Sequence, residues 1–332
     1  MKGLRSQEKF LYLQERKGIL IDNNIKGILE MQSIGKTILE AIGNTPLLCL
    51  DGIFIKCEYL NPSGSIKARL AKYMVERAEK EGLMKKGMTI VEASSGNTGN
   101  ALSLVAAAKG YKMLVVMPEG YTNERVAISK AFGATVKLMG HFQVNEACEF
   151  AKKLGKEKGY WAPDQFESEW NVEENAKWLG QEIIDQLPKN LTIDAIVQGV
   201  GTGGTLIGVA QALRKYHNPD LQVFAMEPSE SATISCHEVS DHLIEGISDG
   251  FVPEIYKRHK KEVDGIVQIN SIDAVNCMKI LARTYGTFVG PSSGANFLAA
   301  QRLQKNKIKN VLTFFCDEGE KYITQHFNST AS

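Results

Sequence analysis

A single lysine, Lys67, stands just inside a helix start, directly after the turn-forming run Asn61-Pro62-Ser63-Gly64-Ser65-Ile66. Apolar or part-apolar residues then recur at Leu70, Tyr73, Met74 and Met84, with Lys72, Glu76, Glu79 and Lys80 between them, which is roughly helical spacing. A cation is mildly disfavoured at the positive end of a helix. An amine there can be held neutral, and a neutral amine condenses with an aldehyde. A solvated surface lysine is the ordinary alternative, and Lys67 alone does not decide between the two.

Three glycine- and hydroxyl-rich loops sharpen the choice. Ser94-Ser95-Gly96-Asn97-Thr98-Gly99 lies between a strand pattern and a helix pattern, where hydroxyls, an amide and backbone N–H groups suit a carboxylate; a well-furnished N-cap is the alternative. Gly199-Val200-Gly201-Thr202-Gly203-Gly204-Thr205 has four glycines that let the backbone close on an anion. It lacks both the Rossmann order and the Gly-Lys-Ser/Thr ending of a nucleotide loop, so it suggests one phosphate and not a dinucleotide. Gly290-Pro291-Ser292-Ser293-Gly294-Ala295 opens a third helix, and a serine N-cap would suffice to explain it.

The elements that must position these loops alternate. A helix at 38–42 stops at Gly43-Asn44-Thr45-Pro46, and Asp51-Gly52 is a two-residue hairpin turn between 47–50 and 53–56. Helix 67–82 is followed by strand 88–92, helix 97–109, strand 112–117, helix 123–132, strand 135–139 and helix 144–158. A long helix at 172–186, strand 195–198, helix 203–215, strand 222–226, helices 272–285 and 293–303 and strand 310–315 complete the series. Such alternation predicts an α/β protein with mostly parallel twisted sheets, each covered by helices on both faces.

Composition narrows the function classes. The 332 residues are 43% hydrophobic and 23% charged, as in ordinary globular proteins, and suffice for one large or two linked cores. A net charge of +1 gives no electrostatic reason to expect nucleic acid or an anionic membrane as partner. Six cysteines without a C-x-x-C pair read as reduced thiols in a cytoplasm, and the six histidines show no metal-ligand spacing. No run reaches the roughly 18 apolar residues that span a bilayer. Residues 1–37 read as an N-terminal extension with one or two short helices and no secretory signal.

Taken together, Lys67 in N-P-S-G-S-I-K, S-S-G-N-T-G, G-T-G-G-T and S-S-G-A resemble the loops of the cysteine synthase and cystathionine β-synthase group. These are tryptophan-synthase-like enzymes of pyridoxal 5'-phosphate, and the resemblance runs over residues 38–322 in the right order. It implies two three-layer α/β/α domains: a smaller mobile one at 61–165, and a larger cofactor-binding one from 38–60 and 166–332. It further implies that Lys67 holds the cofactor as an internal aldimine and removes the substrate Cα proton. Asn97 would hydrogen-bond the pyridoxal 3′ oxygen, and Gly201, Thr202, Gly203, Gly204 and Thr205 would bind the phosphate. Ser292 would face the pyridine nitrogen and, unlike an aspartate, leave it unprotonated, making a weaker electron sink. Ser94, Ser95, Thr98 and Gln165 would hold the amino acid carboxylate. The activity implied is β-replacement or β-elimination on L-cysteine or O-acetyl-L-serine through an α-aminoacrylate, in a homodimer.

The chain departs from that pattern at Ala68, in the polar stretch 235–241, and at Ser248-Asp249, where plain cysteine synthases usually carry small uncharged residues. Asp249 is either a solvated turn residue or a carboxylate facing the site, able to activate water. In the second case cysteine yields hydrogen sulfide and L-serine. The close Cys316-Asp317-Glu318-Gly319-Glu320-Lys321-Tyr322 reads as structural. Serine/threonine dehydratases share the fold but usually carry S-G-N-H-G, against which Thr98 argues. A heme-dependent cystathionine synthase would need iron ligands that the extension lacks. A scaffold without catalysis is at odds with an intact Lys67, Asn97 and Ser292.

Overall fold

The computed structural model describes residues 35–120, 123–141 and 144–327; most of the N-terminal extension lies outside them. From Ile38 on, the chain forms one compact unit. It opens with a 3-10 turn, Ile38–Ala41, and the hairpin of β1 (Leu47–Leu50) and β2 (Ile53–Cys57). Asp51 and Gly52 take φ of 49° and 77°, the left-handed pair that a two-residue hairpin turn needs. The helix α1 (Lys67–Lys80) follows, then β3 (Thr89–Ala93), α2 (Asn97–Lys109), β4 (Lys112–Glu119), α3 (Asn123–Ala131), β5 (Thr135–His141), α4 (Val144–Leu154) and β6 (Tyr160–Trp161). The long helix near residue 180 is α5 (Trp170–Glu174) and α6 (Gln181–Gln186), joined by a π-helical stretch at Asn175–Gly180.

The second half holds β7 (Ala195–Gly199), α7 (Gly204–Tyr216), β8 (Gln222–Pro228), α8 (Glu254–His259), β9 (Gly265–Ile269), α9 (Ser271–Tyr285), α10 (Pro291–Lys305) and β10 (Val311–Phe315). Strands β6 and β9 and helix α8 were not foreseen from the sequence. Two strands of two and five residues and a six-residue helix carry too short a pattern to declare a period.

Two sheets result. One has four strands, ordered β5-β4-β3-β6 and parallel throughout. The other has six, ordered β1-β2-β10-β7-β8-β9, in which only the β1–β2 pairing is antiparallel. Strand alternation sends neighbouring residues to opposite faces. Ile90 joins Ala71, Val75, Leu102 and Val105 from α1 and α2, whereas Val91 joins Ala147 and Ala151 from α4. In the larger sheet Val197 packs with Ala274, Leu281 and Phe297 from α9 and α10, while Ile196 packs with Val209 and Leu213 from α7. Both sheets are thus covered on both faces. Their strands run parallel, so their carboxyl ends present loops to helix N-termini, and the chemistry-bearing loops are among these.

Candidate active site

Lys67 is the first residue of α1, and the turn before it is fixed by the chain's far end. Ile66 N donates to Cys316 O at 2.8 Å, Glu318 N to Gly64 O at 3.0 Å, and Ser65 bridges to Asp317. The buried Lys321 ammonium donates to the carbonyls of Ser63 (3.1 Å) and Gly64 (2.8 Å). The closing segment, expected to be structural, therefore sets the place of the lysine. Lys67 itself makes no side-chain hydrogen bond or ion pair among the described residues and lines two adjoining cavities. Burial lowers its pKa, opposed by the charges or potential charges of Cys316, Asp317, Glu174 and Asp249. A lysine so placed is closer to the neutral, nucleophilic amine than a surface one.

The first cavity gathers Lys67, Ser94, Ser95, Asn97, Thr98, Gln165 and Asp249. Their supports divide the work. Ser94 Oγ accepts from the backbone N–H of Gly96 and Gly99, both at 3.0 Å, so this hydroxyl is chiefly the clasp of the loop. Thr98 Oγ1 donates to Gln165 Oε1 at 2.6 Å, and Gln165 Nε2 donates to Ala93 O at 3.0 Å. Buried Glu92, whose carboxyl is pushed up to about 8 by burial, receives Gln165 N at 3.3 Å. Thr98 and Gln165 are thus a locked pair. Ser95 is the hydroxyl of the group with no hydrogen bond among the described residues. Asp249 lines the same cavity as Lys67, following Ser248, which takes a left-handed φ of 49°.

The second cavity shares Lys67, Asn97, Gly201 and Thr202 with the first and adds Gly203, Thr205, Ser292 and Cys316. Gly201 to Gly203 lead into the N-terminus of α7, with Gly203 at φ 88°, a conformation that a side chain resists. Thr202 Oγ1 accepts from Asn171 Nδ2 at 2.9 Å, which pins the loop. Gly204 is not on the cavity wall; a Cβ there would meet Asn171 Oδ1 at 2.0 Å, so its smallness serves packing. Ser292 is buried in the first turn of α10, behind Pro291, whose missing N–H suits that position.

Several residues on or behind these walls were not foreseen as part of the site. Arg125 of α3 lines the first cavity, lies over Gly96, where a Cβ would come within 2.1 Å of its Cδ, and pairs with Glu245. The Cys316 thiol, pushed up to about 11 by burial, sits beside Ser292 and receives Gln198 Nε2 at 3.2 Å. Asp317 accepts from Asn97 Nδ2 at 2.8 Å.

The residues present fit pyridoxal phosphate on the structure's own terms. Asn97 Oδ1 is buried without a hydrogen-bond partner, which a polar group of a ligand would answer. A glycine-lined helix N-terminus beside it suits a phosphate, and the nearby lysine suits an aldehyde. Fold and site together define an α/β enzyme of the pyridoxal phosphate type with its lysine at a helix start.

The chain belongs to the pyridoxal-phosphate dependent enzyme family, whose model matches residues 38–317, and pyridoxal phosphate is its cofactor. It is 39% identical over 303 residues to the cysteine synthase of Staphylococcus aureus, covering 86% of this chain and 95% of that one. Among solved structures it resembles an O-acetylserine dependent cystathionine β-synthase from Helicobacter pylori, with TM-score 0.83, 32% identity and coverage of 90% and 100%. It also resembles a hydrogen sulfide-producing enzyme from Fusobacterium nucleatum, with TM-score 0.81, 34% identity and coverage of 87% and 100%. Among the described residues no helix is long and apolar enough to cross a membrane.

Proposed function

We propose that this enzyme carries out β-replacement and β-elimination on L-cysteine or O-acetyl-L-serine, and that with water as nucleophile it converts L-cysteine to hydrogen sulfide and L-serine. The observation that carries the second clause is Asp249 lining the cavity that Lys67 and the Ser94–Thr98 loop also line. The names of the relatives in Staphylococcus aureus and Fusobacterium nucleatum support the same class.

When bound, the cofactor supplies an electron sink at the amino acid's Cα. Asn97, the Gly201–Thr205 loop and Ser292 hold it, and Lys67 is the base that takes the Cα proton. Ser292 offers a hydroxyl where an aspartate would keep the ring nitrogen protonated, which favours loss of a β-substituent over slower side reactions. Ser95 and the N-terminus of α2, braced by Ser94 and the Thr98–Gln165 pair, receive the carboxylate. Asp249 then takes a proton from water as its oxygen bonds to Cβ. The Cβ–S bond has broken by then and sulfide has left as HS−; the Cα proton is returned and the proton on Asp249 passes to HS− or solvent, so that cysteine and water become serine and hydrogen sulfide.

The decisive variant is Asp249→Asn. With L-cysteine, its release of serine and sulfide is expected to fall about 10²–10³-fold, the usual worth of a positioned base. Loss of sulfide from the bound amino acid should persist in a single turnover. Steady-state release at the wild-type rate would make Asp249 a turn residue and return the enzyme to ordinary cysteine synthesis from O-acetylserine.

A further inference from the structure

Behind Asn97 lies a buried polar chain that neither the cofactor loops nor the proposed base accounts for. Asn97 Nδ2 donates to Asp317 Oδ2 at 2.8 Å; Tyr322 OH donates to the same oxygen at 2.6 Å; Arg125 Nη2 donates to Tyr322 OH at 2.9 Å. Arg125 continues the chain to Glu245. Asp317 is 1% exposed and Tyr322 0%. The chain joins the first turn of α2 and α3 to the segment after β10, and it ends on a loop that lines the second cavity.

An amide can turn end for end, and the two orientations present opposite chemistry to a ligand. A carboxylate accepts only, so it selects the orientation with Nδ2 toward itself. Tyr322, held by Arg125, fixes the carboxylate in turn. One N–H of Asn97 is thereby committed, and Oδ1, buried and unpartnered, is left with the second N–H for a bound group. We infer that Asp317 is a positioning residue for the cofactor: it fixes the face that Asn97 turns to the cofactor ring and, with Tyr322 and Arg125, keeps that amide oriented before the cofactor arrives. The inference rests on the assignment of Asn97 to the cofactor.

The test is cofactor retention by the holoenzyme in equilibrium dialysis, read from the cofactor's visible absorbance, in a double-mutant cycle of Asn97→Ala and Asp317→Ala. Each single variant is expected to hold the cofactor about tenfold less tightly, the loss of one hydrogen bond to a charged or oriented group. The double variant should be no weaker than the weaker single one, because Asp317 acts only through Asn97. Asp317→Asn, whose amide oxygen still accepts, should restore retention to within about threefold of wild type. A merely structural Asp317 would give losses that multiply in the double variant, or a lower melting temperature with retention unchanged; either result overturns the inference. If Asp317→Ala does not fold, Tyr322→Phe takes its place in the cycle, with a smaller loss that must likewise vanish in the Asn97→Ala background. Should Asn97→Ala alone leave retention intact, the assignment of Asn97 itself fails.

Discussion

At the scale of single residues, the lysine and the three loops stand out in the sequence because each is a local arrangement, and the structure sets residues of all of them, with Asp249, along two adjoining cavities. Lys67 opens a helix after a turn, and the Ser94 and Gly201 loops each join a strand to a helix. What was not legible is contact between distant residues. Asn97 meets Asp317 across 220 positions and Arg125 meets Tyr322 across 197, and no periodicity encodes such a meeting. Glu174 is a further case. It is 1% exposed, its Oε1 has no hydrogen-bond partner, and burial pushes its carboxyl up to about 8 against the pull of the Arg69 guanidinium, with Glu58, Lys67 and Glu182 also facing it. The folded protein holds a proton there that the unfolded chain gives up at the ordinary carboxylate pKa. This contribution to stability is therefore full below about pH 4.5 and is lost as pH rises through about 8. The melting temperature of Glu174→Gln should fall less than that of wild type between pH 5 and pH 8, roughly the window between those two values. Parallel curves for the two proteins would show that Glu174 does not titrate there.

Elements carry the next level of the account. The helix starts at Lys67, Asn97, Gly204 and Pro291 do the positioning, and three of the four were legible to within one residue; the fourth, expected at Ser293, opens two residues earlier at Pro291. Strand β9 escaped because it pairs on one side only, with β8, and begins at a glycine. Helix α8 escaped because it is short and mostly polar on its surface. The glycine loop before α7 offers a direct check. Gly203 sits at φ 88° with a would-be Cβ 3.3 Å from the Cβ of Tyr256. Gly203→Ala should lower stability by about 1–2 kcal/mol in urea titration, the cost of a left-handed non-glycine residue. It should also weaken cofactor retention, since the same strain moves backbone N–H groups that would face the phosphate. Unchanged values for both would mean that the loop's glycines are dispensable.

For the whole molecule, mostly parallel sheets covered by helices were legible from the alternation alone, whereas their number, two, came from the resemblance; the two sheets bear out both. The order of the strands was not legible, because order depends on which crossover returns to which side. We propose that the chain forms a homodimer. Ile272 and Ile280, 60% and 57% exposed and eight residues apart along α9, support an apolar contact face. Sedimentation equilibrium should give twice the 36.6 kDa chain mass, and a concentration-independent monomer would contradict the dimer. The central claim concerns the reaction, and one assay tests it most directly: the enzyme is incubated with L-cysteine as sole amino acid, and its products are measured. The account predicts hydrogen sulfide and L-serine in equal amounts. Sulfide accompanied by pyruvate and ammonia in place of serine would leave β-elimination alone and contradict replacement by water, and no sulfide at all would contradict the account as a whole.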